Sequence, residues 1–117
     1  MSQDQFLSRV TRTIEMNVAL SPMVSAEQIE VRRISMPAGV AAGLHVHNGP
    51  VVGSIVTGTV AYQIEGEPEQ ILRPGDVFFE PQGVRIARFD ALDEDVVFLA
   101  YFPLTSGQES AIEFPPE

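Results

Sequence analysis

Apolar and polar residues alternate with a period of two over much of the chain, and glycine and proline cut the apolar runs at short intervals. Such alternation places successive side chains on opposite faces of a strand, whereas a helix repeats every three to four residues. Helical spacing occurs at the start, where Phe6, Leu7 and Val10, with Ser2 as a cap, predict a short helix over residues 2–12. Ile14, Met16 and Val18 then alternate and predict a strand over Thr13–Leu20, stopped by Ser21-Pro22. Further strands are predicted over 29–36, 44–47, 51–56, 59–64, 70–73, 77–80, 84–89 and 96–102. Turn formers separate them, among them Asn48-Gly49-Pro50, Glu65-Gly66-Glu67-Pro68, Pro74-Gly75-Asp76 and Pro81-Gln82-Gly83. An acidic loop is predicted over Asp90–Asp95. No segment from Ile29 to Phe102 can supply a helical crossover, so the sheets must be mostly antiparallel. The fold class is all-β, a sandwich or barrel.

The chain has 117 residues, the size of one domain. It divides into an N-terminal extension (1–28), a core (29–102) and a tail (103–117) that is expected to be loosely held, with Ile112 and Phe114 as anchors. The absence of cysteine excludes disulfides, thiolate metal sites and thiol nucleophiles. All cationic residues are arginines, which excludes Schiff-base chemistry. A net charge of −9 opposes binding to nucleic-acid phosphates and anionic lipid, so neither partner is expected. No apolar run approaches the roughly 18 residues of a membrane span, and no leader pattern opens the chain, so the expected location is the cytoplasm.

One spacing carries chemistry. Gly39-x5-His45-x-His47 precedes Gly58, and Gly75-x5-Pro81-x-Gly83 follows. This pair of motifs resembles that of the cupin superfamily, whose first motif reads G-x5-H-x-H-x3,4-E-x6-G and whose second reads G-x5-P-x-G-x2-H-x3-N. The resemblance extends from about Ile29 to Phe102 and is closest to small single-domain members. It implies an antiparallel double-sheet jelly-roll barrel with an interior pocket. It also implies a metal held by two histidines and a glutamate of the first motif and a histidine of the second.

The residues themselves support half of that site. Histidines at i and i+2 of a strand share a face, so His45 and His47 can reach one point. Neutral imidazole suits Fe, Ni, Co, Cu or Zn. The glutamate position is Val51, however, and the third histidine position is Ile86. Glu80 is a candidate third ligand if its side chain turns inward, although an acid at a strand end is expected to face solvent. If Ile86 faces the pocket, alternation places Arg88 at the mouth, where a guanidinium beside two histidines would favour an anionic ligand; the alternative is an Arg88 that extends outward or pairs with a nearby acid such as Asp90. The pocket is thus expected to involve His45, His47, Val51, Ile86 and Arg88.

Three functions stay open. One is a barrel that binds a small, anionic organic molecule without a complete metal site. Another is a metal-dependent enzyme, an oxygenase or isomerase, built on the His45/His47 pair. The third is a non-catalytic regulatory or interaction module. A homodimer is expected, both from the resemblance and because open sheet edges need cover that a strand such as Thr13–Leu20 could provide.

Overall fold

The computed structural model describes residues 2–116. Among these residues there is a single short helix, α1 (Gln3–Arg9), which comes first. Its cap is the one predicted: the Ser2 hydroxyl accepts from the Gln5 backbone N–H, and the Gln5 side chain accepts from the Ser2 N–H. Nine strands follow: β1 (Gln28–Met36), β2 (Val46–His47), β3 (Val51–Thr57), β4 (Val60–Ile64), β5 (Gln70–Leu72), β6 (Val77–Glu80), β7 (Ile86–Ala91), β8 (Val96–Leu104) and β9 (Ile112–Glu113). The turn signals place most of these boundaries within two residues. No helix among the described residues is long and apolar enough to cross a membrane.

Every strand pair is antiparallel. One layer is a four-stranded sheet in the order β1-β8-β3-β6. The facing layer is the three-stranded sheet β5-β4-β7. Isolated bridges Ala41↔Asp90 and His45↔Ile86 attach the 41–47 segment to β7, and β9 in turn pairs with β2. The two antiparallel layers are consistent with the expected jelly roll, but the ladders do not close into the expected barrel, since the four-stranded sheet ends at β1 and β6.

The core lies between the layers. Phe78, Phe89 and Phe98 form its centre, with ring centroids 4.8 to 5.9 Å apart in tilted and edge-to-face geometry. Such pairs contribute roughly 0.5–1.5 kcal/mol each beyond area burial. Gly53 is required beneath them. A Cβ there would lie 2.3 Å from Phe78 Cζ and 2.6 Å from the Leu99 carbonyl oxygen. Gly58 is required for another reason: its φ is +81°, and a Cβ would lie 2.4 Å from the Asp95 carbonyl.

Three sequence expectations fail here. Residues 13–20 form no strand, because no other segment pairs with their backbone. The predicted acidic loop is shorter than expected, because β7 runs on through Asp90 and Ala91, whose partners are Ala61 and Val60 of β4. The tail is better held than expected, through β9.

Candidate metal and ligand site

His45 and His47 stand at one end of the cavity between the layers. The backbone of His45 is fixed by two hydrogen bonds to Ile86, which donates at 2.8 Å and accepts at 3.0 Å. His47 is fixed by its pairing with Ile112 of β9. Alternation through Val46 turns both imidazoles inward, with ring centroids 5.1 Å apart and planes nearly perpendicular.

Glu80 meets them from the opposite layer. It is 3% exposed, and its Oε1 lies 3.1 Å from His45 Nε2 and 2.9 Å from His47 Nε2. The expectation of a solvent-facing Glu80 is therefore corrected. On β6, Phe78 and Glu80 share the inner face while Val77 and Phe79 point out. Glu80 is also the direct register partner of Val51, the position where the resemblance calls for glutamate. Directly opposed residues on one face have Cβ atoms about 5 Å apart. The carboxylate is thus supplied from one strand over, and Val51 is a buried wall residue.

One ligand atom from each of His45, His47 and Glu80 lies within 4.8 Å of the others. The donor set fits a cation on chemical grounds. His45 Nδ1 is 2.7 Å from the Gly43 carbonyl, which can only accept, so Nδ1 carries the hydrogen. In the neutral ring, Nε2 then presents a lone pair to the Glu80 carboxylate. Two acceptors face one another unless a proton or a metal ion lies between them. Without a metal, the proton answers. Burial works against the charged imidazole, but hydrogen bonds to Glu80 and Gly43 and the Glu80 charge outweigh it, and the His45 pKa rises. Burial likewise opposes the Glu80 carboxylate, yet its hydrogen bonds and charge interactions with both histidines hold its pKa down.

The cavity in front of this cluster has a volume of about 200 Å³. Its remaining walls are apolar, chiefly Ile34, Met36, Phe78, Phe89, Phe98 and Phe102, and Ile112 of the tail closes one side. Phe114, the other predicted anchor, sits with its ring 6.4 Å from that of His45.

The structure separates the two remaining sequence candidates from the cavity. Ile86 is fully buried, but in the core and not on the cavity wall. Arg88 points outward, toward Glu69 at 3.7 Å and Asp90 at 3.5 Å. The cause is a register shift: Gln63 pairs with Arg88 but Ile64 pairs with Ile86, so Ala87 is an extra residue. A bulge of this kind breaks the alternation, and Ile86 and Phe89 end up inside with Arg88 outside. Gln63 also stays clear of the cavity and donates to the Glu67 carbonyl.

Residues 32–101 match the family model of the cupin domain. The chain belongs to the cupin family. By sequence, no curated protein matches this cupin. Among solved structures, it is similar to a cupin-like protein of Thermotoga maritima, with a TM-score of 0.63 at 26% identity over 74% of this chain and 64% of that one. A DMSP lyase from Ruegeria pomeroyi superposes with a TM-score of 0.63 at 24% identity, covering 74% of this chain and 43% of the lyase. An oxalate oxidase in complex with the substrate analogue glycolate gives 0.62 at 19%, covering 74% and 45%. This cupin spans less than half the length of the lyases it matches, at 45% and 43% of theirs.

Proposed function

We propose that His45, His47 and Glu80 hold a divalent transition metal ion (Fe, Ni, Co, Cu or Zn), and that the protein is a metal-dependent enzyme acting on a small organic molecule in the adjoining cavity. The observation that carries this reading is the convergence of two imidazole Nε2 atoms on one buried carboxylate. Two histidines and one carboxylate leave coordination positions open, which a purely structural site does not need. The lyase and oxidase among the similar structures are consistent with a fold that houses enzymes, at identities that transfer no reaction.

When bound, such an ion would polarise an oxygen-bearing group of the substrate. The chain's own residues do the rest. The Gly43 carbonyl holds the His45 tautomer that leaves Nε2 free. Glu80 neutralises positive charge in a place that water scarcely reaches. The phenylalanine and aliphatic walls hold an apolar substrate body and exclude competing water.

A second reading is favoured by one observation: both Nε2 atoms lie at hydrogen-bond distance from Glu80 Oε1, so with a proton on His45 Nε2 the cluster is a satisfied ion pair that needs no metal. It would then serve as a polar anchor in a binding pocket. Elemental analysis of untagged protein decides between them. One equivalent of metal, lost in His47→Ala and Glu80→Gln, supports the enzyme. Absence of metal in the purified protein, and after dialysis against micromolar Co(II), Ni(II) or Zn(II), defeats it.

A further inference from the structure

A second, smaller cavity of about 140 Å³ adjoins the site and shares His47, Ile34, Phe102 and Ile112 with the first. Arg32 lines it, and does not line the first. On β1, Ile34 and Met36 face inward and reach the main cavity, and Arg32 lies two residues further along the same face, its side chain half exposed at the rim. Its register partner, Ala100, is small and also lines that cavity. The guanidinium lies over the Phe102 ring, 5.3 Å from the centroid, within cation–π range. Glu30 engages only its Nε. Among the described residues, neither Nη group has a hydrogen-bond partner, so the two-pronged edge that matches a carboxylate is free. Glu30 is also held by the Ser110 hydroxyl, at 3.3 Å, which ties this arginine to the tail that closes the cavity.

We infer that Arg32 selects the substrate class: a small molecule with an apolar body in the main cavity and a carboxylate in the second, paired to the Arg32 Nη groups. This rests on the proposed site beside His47 for its setting, but not on a metal being present. In a chain of net charge −9, an anion needs such a local cation to enter at all. The anion-recognition role expected for Arg88 thus passes to an arginine on the opposite layer. Arg33 is the internal control, because the next residue on a strand points to the other face.

The test compares hexanoate with hexanamide, which has the same shape without the charge. Binding of each to the full-length protein is measured by calorimetry, with metal content recorded in parallel and a second set in chelator. Wild type is expected to bind hexanoate about tenfold or more tighter than hexanamide, as charge-assisted hydrogen bonds allow. Arg32→Gln should bring the ratio near one, Arg32→Lys should restore part of it, and Arg33→Gln should leave it unchanged. Glu30→Gln should tighten hexanoate a few-fold by removing the competing carboxylate, whereas a merely structural Glu30–Arg32 pair predicts no gain. No hexanoate binding to wild type, or a preference that survives Arg32→Gln, overturns the inference. A preference that depends on Arg32 in protein shown to take up no metal would sustain it while removing the enzyme reading.

Discussion

Strand β8 and residues 13–20 of the N-terminal arm both place apolar side chains at every second position. Along Val96–Leu104 each of those side chains is buried; along 13–20 none is. Ile14 is 81% exposed, and Met23, further along the arm, 87%. The difference lies in the backbone. β8 sits between β1 and β3, so its peptide groups are paired on both edges. Among the described residues no strand pairs with 13–20, and their N–H and C=O groups make no backbone hydrogen bond. Alternation therefore announces a capacity to be a strand, and a partner decides whether the strand exists. The radius of gyration records the same split: it is 16.1 Å, where a compact chain of this length would have about 13 Å.

The most damaging single change to the walled region is expected at Glu80. Glu80→Ala leaves His45 and His47 facing a gap in a buried place. Breaking a buried pair in this way costs about 3–5 kcal/mol. Denaturant unfolding of metal-free protein should show that loss, and metal uptake should vanish with it. An Ile14→Ala change in the arm should move the unfolding midpoint little by comparison. Equal effects at the two sites would erase the contrast.

Gly53→Ala comes next. Its new Cβ would strike both the Phe78 ring and the Leu99 backbone, and the backbone cannot swing away as a long side chain can. Overpacking of this kind costs about 1–3 kcal/mol. The loss should appear in thermal unfolding, with the shape of the aromatic cluster altered in near-ultraviolet circular dichroism.

These two positions show what was legible. The order of strands and turns was open to reading because most glycines and prolines fall between the strands, where positive φ and the missing N–H are tolerated. Gly53 needed tertiary context, since nothing local shows that a phenylalanine ring lies across it. Glu80 was hidden for a related reason. β6 reads Val-Phe-Phe-Glu, apolar on both faces, so alternation cannot choose which face is inner. Arg32 was hidden likewise: Ile29 and Val31 point out while Ile34 and Met36 point in, so β1 carries apolar residues in both phases. Arg88 was misplaced by one bulged residue, Ala87, which no composition rule announces. The His45/His47 pair was legible because a two-residue period suffices to put both on one face.

A smaller effect is expected from pH, and only in the walled region. For metal-free protein the folded His45 pKa lies above its ordinary 6.5. Its contribution is therefore full below about pH 6.5 and is lost as pH rises through the folded value. The folded Glu80 pKa lies below its ordinary 4.5. Its contribution is present above about pH 4.5 and is lost as pH falls through the folded value. This cluster should thus stabilise the metal-free protein most between about pH 4.5 and 6.5. In Glu80→Gln that maximum should flatten, whereas truncating the arm should leave it in place. An unchanged pH profile in Glu80→Gln would mean that the pair is not coupled as its geometry requires.

The smallest effect on the stability of a single chain is expected from removing residues 2–19. α1 buries no residue, and residues 10–19 include none that is buried. At high dilution the unfolding free energy should change by no more than about 0.5 kcal/mol. What should change is assembly. The arm's exposed apolar residues, and the outward row Val31–Tyr101–Val52–Phe79 that crosses all four strands of one sheet, are expected to find cover in a second copy. Light scattering of the full chain should then give twice the 12.8 kDa chain mass, and the shortened chain should give one. The melting temperature should rise with protein concentration in the full chain alone, because association stabilises by mass action. A full chain that scatters as a single copy would leave the arm as extended backbone without a partner, and the alternation at Ile14, Met16 and Val18 would have no structural consequence.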